Sequence, residues 1–384
     1  MLDKLKRNHA LFAGYGKTCG VDAALWMYLH YLFLRKKEGV ELYDYFNHRL
    51  FDKSIDHREY YASLHKNIHR WKNVSKKFCQ EKSGRWFLIH KIDYWIAKLL
   101  YPGLDAMDYF RYEFYNFGHA KRKTFITEGG IAKMDRRFNG GSENREALSC
   151  LGSKAKFNTL FSDYVGRKWI DAEQMTWESY EEFCQGLEKV IVKPTDSCGG
   201  NGIFIWDLTD KKGLFDQIHG KHFIVEELLV QHDSVQKINP AAINTIRVYS
   251  VLSKGEVTVT AGVFRIGSGK DPTDNYSAGG MAAKIDLESG LIVSRAVMQS
   301  GQTTYLHPMT RQPIIGFQIP CWEQVKLHVK EAHKRIPKLR YIAWDVVVCK
   351  DESIVFLEAN TFGGVALQQH PSLEGMKAIY DALL

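Results

Sequence analysis

Residues 354–364 read IVFLEANTFGG. Four apolar residues run into Glu358, Ala359 and Asn360, and a glycine pair follows. A strand turns successive side chains to opposite faces, so Glu358 and Asn360 project to one side. A second apolar run, Ile342 to Cys349, contains Asp345, and the polar cluster KDES separates the two runs. If the runs form a hairpin with an even loop centred between Asp351 and Glu352, Lys350 faces Ser353 and Asp345 faces Glu358. Directly opposed side chains have Cβ atoms about 5 Å apart. Two carboxylates that close repel, and one would normally take up a proton; a divalent cation removes that cost. Asp345, Glu358 and Asn360 form an all-oxygen set that suits Mg2+, which takes one or two carboxylates and leaves its other positions to water and phosphate. The competing reading is a surface hairpin with Asp345 turned to solvent.

The 384-residue chain is long enough for two or three structural units. Hydrophobic residues make up 45% and mean hydropathy is -0.30, which predicts a folded, soluble protein. Seven cysteines without a CxxC pair argue for a reducing, cytoplasmic compartment and against a cysteine-built metal site. The start, MLDKLKRNHALFAGYG, lacks the apolar core of a secretory signal. The net charge of +8 is unevenly spread: residues 1–150 hold 27 Lys and Arg against 17 Asp and Glu, and the remainder holds 25 against 27. A basic first part suits an anionic partner, either an acidic glycan or a phospholipid surface at the inner membrane face. No nucleic-acid-binding motif accompanies it, so no nucleic acid is expected. The alternative is a solvated basic face.

Residues 1–145 read as a mainly helical, basic N-terminal domain. The run AALWMYLHYLFL, Ala23 to Leu34, precedes Arg35, Lys36 and Lys37. It is too short to cross a bilayer and could lie in a membrane interface or form a core helix. A basic helical stretch is expected from Arg58 to Gln80, and Thr127 to Asn144, rich in Gly, Arg and Asn, reads as a connecting segment. GYGKT, Gly14 to Thr18, is no P-loop, because Leu11 stands where the pattern needs glycine. His65 and His69 have zinc-ligand spacing but lack the intervening glutamate of a metalloprotease. From residue 150 short β-rich runs dominate: Val190 to Lys193, Gly202 to Trp206, His222 to Val225, Thr245 to Leu252, Val257 to Arg265, and the closing hairpin. Helices are expected near Lys154 to Tyr164, Trp177 to Gly186 and Trp322 to Arg335.

In VIVKPTDSCGGNGIFIW, Val190 to Trp206, a strand ends at Lys193 and a glycine-rich loop leads to a second strand. Glycines let backbone approach a ligand closely, and successive N–H groups can form an anion site. Lys193 supplies a point charge beside it. FIVEELLVQHDS, Phe223 to Ser234, is a strand that breaks into a linker. The free backbone groups at such an edge can read an adenine, and a nearby carboxylate can hold ribose.

These motifs, with NPAAINTIRVYSVL (239–252) and DNYSAGGMAAKIDLESG (274–290), resemble in their order the ATP-grasp superfamily over residues 150–384. Within it the chain is most similar to the sugar-transfer-associated group, related to D-alanine–D-alanine and glutamate ligases. The resemblance implies an α+β fold with two subdomains gripping ATP: 146–384 overall, with a lysine and glycine-loop part at 146–230 and a metal-binding part at 231–384. It implies that Lys154 reaches the α-phosphate, Lys193 supports the phosphates, and a flap containing Ser197, Gly199, Gly200 and Gly202 closes over them. Glu226 matches the position contacting the adenine amino group, the backbone of Glu227, Leu228 and Leu229 reads the ring edge, and Asp233 holds the ribose. Arg247 resembles the arginine that stabilises the transferred phosphate, and Asp345, Glu358 and Asn360 match the magnesium trio. The chain departs from the family before residue 150, where no Rossmann-like βαβ order is seen, so the acceptor cannot be carried over. Arg265, Asn275, Ser277 and the Gly279–Gly280 pair line either an acceptor pocket or a surface hairpin. His307 and His370 are acid–base candidates or structural residues. The implied activity is ADP-forming carboxylate–amine ligation through an acyl phosphate, using ATP and Mg2+, with an amino acid or amine joined to a sugar acid in surface polysaccharide biosynthesis. The alternatives are a kinase on the same fold and a non-catalytic ATP-binding module.

Overall fold

The computed structural model describes residues 70–78, 84–101, 103–195, 202–269, 274–361 and 363–384. The Ala23 to Leu34 run, the GYGKT stretch, His65, His69, Ser197, Gly199 and Gly200 lie outside the described residues. The chain forms two compact units: Met1–Lys123 with Thr127–Gly130, and Thr124–Ile126 with Ile131–Leu384.

The described part of the first unit is helical, with helices Gly84–Leu100, Ala106–Arg111 and His119–Arg122. Its core is aromatic. The ring of Trp71 stacks on Tyr94 at 4.8 Å and lies 4.8 Å from Phe110. Arg122 grips Asp93 with two bonds of 2.9 and 2.6 Å, and the Tyr109 hydroxyl donates to the same carboxylate at 2.6 Å. Gly103 and Gly129 touch through their backbones; a Cβ on Gly103 would lie 2.7 Å from the Gly129 Cα.

The expected connecting segment is a helix, Glu128–Asn139. Ile131, Met134 and Phe138 recur at helical spacing and bury beside Tyr249, Val251 and Tyr341. This stripe outweighs the Gly129–Gly130 pair, which falls in the first turn. From Ile131 the helix belongs to the second unit.

The second unit contains two antiparallel sheets. In the smaller, β1 (Trp169–Asp171), β2 (Lys189–Pro194), β3 (Phe204–Asp207) and β4 (Phe223–Glu227) lie in the order β1-β4-β2-β3. Val190, Val192 and Val225 bury against helices Trp177–Cys184 and Lys211–Ile218. Alternation therefore turns Ile191, Lys193, Ile224 and Glu226 to the opposite face. The larger sheet contains β5 (Ile246–Ser253), β6 (Glu256–Ile266), β7 (Met281–Ile285), β8 (Ala296–Met298), β9 (Thr303–Thr304), β10 (Tyr341–Val348) and β11 (Ile354–Asn360). Their order is β11-β10-β5-β6-β7-β8-β9. Ile246, Val248, Phe264, Ile342, Trp344 and Val346 bury on one face under helix Trp322–Lys334. Tyr249, Val251, Val263, Tyr341 and Ala343 bury on the other. Arg247, Arg265 and Asp345 are in phase with this second set. The two-sheet α+β arrangement is the one the resemblance implies. Among the described residues no helix is long and apolar enough to cross a membrane.

Candidate active site

The closing hairpin brings the expected residues together by a different route. Asp345 stands opposite Glu358, and Ala343 opposite Asn360. Yet Val348 pairs with Ile354, and Cys349 N–H donates to Ser353 O at 2.9 Å. The loop is therefore the odd-numbered Lys350-Asp351-Glu352, with Glu352 at φ 66°, and Lys350 does not face Ser353. Three-residue hairpins commonly end in such a left-handed residue. A bulge at Leu357 adds one residue to β11 and restores the Asp345–Glu358 pair. Bulges of this kind re-aim side chains beside functional sites.

Asp345 is not the free ligand that the sequence suggested. β10 pairs with β5 so that Asp345 lies opposite Arg247. Arg247 Nε donates to Asp345 Oδ1 at 2.6 Å while its Nη2 donates to Oδ2. Arg265 on β6 adds a third bond, Nη1 to Oδ2 at 2.7 Å. Burial opposes the Asp345 charge, but Arg247 and Arg265 outweigh it and hold the carboxyl well below the usual range. Arg247 Nη2 also lies 3.8 Å from Glu358 Oε1, to which Asn360 Nδ2 donates at 3.3 Å. The Glu358 side chain is 41% exposed. Burial and then the Asp345 charge raise its pKa, so the like-charge cost anticipated from the register is present.

This donor chemistry fits a divalent cation. Among the described residues no group of three His, Cys, Asp or Glu is placed to hold a metal ion, so a cation here would need Asn360 beside Glu358. Glu358 carries a carboxylate whose charge burial and Asp345 disfavour more than Arg247, 3.8 Å away, favours it. Asn360 uses its amide nitrogen toward Glu358, which leaves its oxygen as the donor. Asp345 has three of about four lone-pair sites engaged and can add at most one.

The second half of the candidate site lies on the smaller sheet. Lys193 Nζ donates to Glu226 Oε2 at 2.5 Å. Glu226 Oε1 accepts from Arg167 Nη2 at 2.7 Å and Asn158 Nδ2 at 3.0 Å. Lys154, one helical turn before Asn158, donates to Pro194 O at 3.1 Å. Glu226 is 1% exposed. Burial opposes its charge, and Lys193 and Arg167 outweigh that and lower its pKa below the usual range. With three donors already bound, Glu226 holds Lys193 in place and keeps lone-pair capacity only on Oε2.

Arg167 was not anticipated, yet it joins the two halves. Its Nη1 donates to Phe356 O at 3.0 Å, two residues before Glu358, while Nη2 holds Glu226. No periodicity marks Arg167 or Asn158; the only local signal is Gly166, a left-handed residue at φ 56° that ends helix Ser162–Val165 and turns the chain. After Glu227, whose Oε2 accepts from Lys168 N–H at 3.1 Å, the β4 ladder stops. The next cross-chain bonds are Lys350 N–H to Val230 O and His232 N–H to Val348 O, both 2.9 Å. The Leu228 and Leu229 amides therefore lie outside the ladder, and Leu229 packs on the same Val347, Cys349 and Val355 cluster as the bulge residue Leu357. Asp233 opens helix Asp233–Ile238 as an exposed carboxylate 3.9 Å from Lys350 Nζ. Gly202 takes φ 75° where the chain re-enters toward β3.

The acceptor candidates separate. Asn275 Oδ1 caps its own turn, accepting from Ser277 N–H at 3.1 Å and Ser277 Oγ at 3.0 Å. That pair builds a local turn. Arg265 is buried between Asp345 and Asp274 rather than open to an acceptor. His307 bonds to Gly267 O at 2.9 Å and His370 to the Tyr276 hydroxyl at 2.7 Å; both are buried and read as structural.

Residues 211–381 match the family described as sugar-transfer associated ATP-grasp. No curated protein matches the chain. Among solved structures, the ATP-grasp ligase PsnB complexed with a phosphomimetic variant of a minimal precursor, Mg and ADP is 15% identical, with TM-score 0.39, covering 64% of this chain and 60% of its own. D-alanyl-alanine synthetase A from Vibrio cholerae O1 biovar eltor is 13% identical, with TM-score 0.40, covering 62% and 66%. An L-amino acid ligase from Bacillus licheniformis is 12% identical, with TM-score 0.36, covering 58% and 44%. The chain thus spans less than two thirds of the length of each of these. Residues 211–381 of the chain, which include the larger sheet, are thus similar to the sugar-transfer associated ATP-grasp family.

Proposed function

We propose that the chain is an ATP-dependent, ADP-forming carboxylate–amine ligase that works through an acyl phosphate and joins an amine or amino acid to a sugar acid. The observation that carries this reading is Arg167, which fastens the Lys193–Glu226 pair to the strand of Glu358. A lysine-lined half and an acidic half are thereby held at one place. Such a site suits a triphosphate whose charge must be matched at both ends. The match to a sugar-transfer associated family supports the sugar acid.

Mg2+ bound with ATP, held by Glu358 and Asn360 with Asp345 beside them, would neutralise charge on the β- and γ-phosphates. Lys193, fixed by Glu226, and Lys154 hold phosphate oxygens. The Leu228 and Leu229 amides meet the base edge, and the half-exposed Ile205, on the face opposite the helices, offers it an apolar surface. Asp233 would accept from ribose hydroxyls. Arg247 meets charge on the phosphoryl group as the substrate carboxylate attacks. The amine then displaces phosphate from the acyl phosphate, yielding an amide, and the site must exclude the water that would otherwise hydrolyse the acyl phosphate. The basic first unit meets the acidic glycan or an anionic membrane surface.

The test is ADP release with ATP, Mg2+ and a panel of uronic acids and amino acids, with products read by mass spectrometry. An amide with stoichiometric ADP is expected. A stable phosphoester would establish kinase chemistry instead, and nucleotide binding without ADP from any pair would establish a binding module.

A further inference from the structure

Arg265 is shared. Its Nη1 donates to Asp345 Oδ2 at 2.7 Å and its Nη2 to Asp274 Oδ1 at 3.0 Å, while its Nε is buried without a hydrogen-bond partner among the described residues. A guanidinium that leaves one donor unsatisfied is being held where two carboxylates want it. Asp274 is anchored in turn: its Oδ2 accepts from Thr245 N–H at 2.9 Å and from the Thr245 hydroxyl. Thr245 lies directly before β5, two residues from Arg247. Charges therefore alternate from buried Asp274 through Arg265, Asp345 and Arg247 to the partly exposed Glu358. Arg247 has two tasks under the proposed reaction. It pairs with Asp345, and it must also meet the phosphoryl group. If it were the only cation on Asp345, turning toward phosphate would strip a buried carboxylate of its partner.

We propose that Asp274 and Arg265 are positioning residues: Asp274 fixes Arg265 on Asp345, so that Asp345 stays neutralised when Arg247 engages phosphate. This rests on the ligase reading above, although its first test needs no substrate. In Asp274→Asn the amide oxygen can keep Thr245, while the NH2 group faces Arg265 and cannot hold it. In Arg265→Lys the charge remains, but one ammonium cannot bridge both carboxylates in the fork geometry.

The experiment has two arms. In the nucleotide-free protein, side-chain NMR should show the Arg265 Nη protons slowed in wild type and exchanging at least tenfold faster in Asp274→Asn, with the Arg247 signals unchanged. In the turnover assay, Asp274→Asn and Arg265→Lys should each lower kcat at least tenfold with the ATP Kd within threefold of wild type. Asp274→Asn combined with Arg265→Met should be within twofold of Arg265→Met alone, because both act through one contact. Unchanged Arg265 exchange, unchanged kcat in Asp274→Asn, or additive losses in the double variant would overturn the proposal. Absence of turnover in wild type with the NMR result as expected would count against the ligase reading instead. A purely structural role would lower kcat and ATP affinity together in step with stability, and that pattern also overturns it.

Discussion

Replacing Glu226 by glutamine removes the one negative charge between Arg167 and Lys193. The Glu226 and Arg167 side chains are 2% and 1% exposed, and that of Lys193 is 13% exposed. Glutamine keeps one acceptor oxygen but sets an amide donor against one of the cations. Removing one partner of a buried, hydrogen-bonded pair costs about 3–5 kcal/mol, because the remaining charge stays buried. The partial exposure of Lys193 places the expected loss near the lower figure, about 3 kcal/mol. In a unit of this size that corresponds to a drop in Tm of roughly 6–12 °C. The folded-state pKa of Glu226 is lowered, so its stabilisation is complete above the unfolded carboxyl value of about 4.3 and is lost as pH falls through the folded value. The gap between wild type and Glu226→Gln should therefore be full at pH 7 and narrow below pH 4. Urea denaturation followed by tryptophan fluorescence measures it. A loss under about 1 kcal/mol at pH 7 would mean that the cluster is not paired as described, and Lys193 would lose its anchor.

Glu358→Gln removes a charge that Asp345 repels, so it should leave stability unchanged or slightly raised while lowering ADP release at least 100-fold. Near-wild-type turnover would contradict the metal assignment. Arg247→Lys keeps the charge but cannot reproduce the two-pronged grip on Asp345, and should cost about 2 kcal/mol and at least tenfold in kcat. His333 is buried, accepts from the Ser250 hydroxyl at 2.7 Å and donates to Leu339 O at 2.8 Å. Burial lowers its pKa from 6.5 to about 4. The unfolded chain binds its proton first, so stability should decline as pH falls from 6.5 toward 4, by about 1.4 kcal/mol per unit at most, and this decline should be absent in His333→Gln. Trp344→Ala, at the centre of the larger core, should cost about 3–5 kcal/mol by the same denaturation assay.

The sequence exposed the site where chemistry and strand alternation coincide. Glu358 and Asn360 are two apart on one strand, and their pairing with Asp345 follows from two apolar runs and a polar turn. The assumed even loop was wrong, and an unforeseen bulge at Leu357 cancelled the error, since neither a left-handed Glu352 nor an extra strand residue leaves a compositional mark. Lys193 was legible because a lysine ends a strand before a glycine loop. Its fixing by Glu226 and Arg167 was not, since these residues lie on separate segments that only the folded sheets bring together. Arg265 was expected to line an acceptor pocket or a surface hairpin; its burial between Asp274 and Asp345 was not legible, because those two carboxylates lie on separate segments. Helix Glu128–Asn139 was hidden by its glycines, arginines and asparagine, although Ile131, Met134 and Phe138 carried the helical stripe.

The most direct measurement is calorimetric titration of the protein with ADP, with and without Mg2+, in wild type, Lys193→Met and Glu358→Gln. Binding at one site that strengthens at least tenfold with Mg2+ is expected, with Lys193→Met weakening it in both conditions and Glu358→Gln removing only the Mg2+ enhancement. Absence of binding in wild type, or an Mg2+ enhancement that survives in Glu358→Gln, would contradict the account.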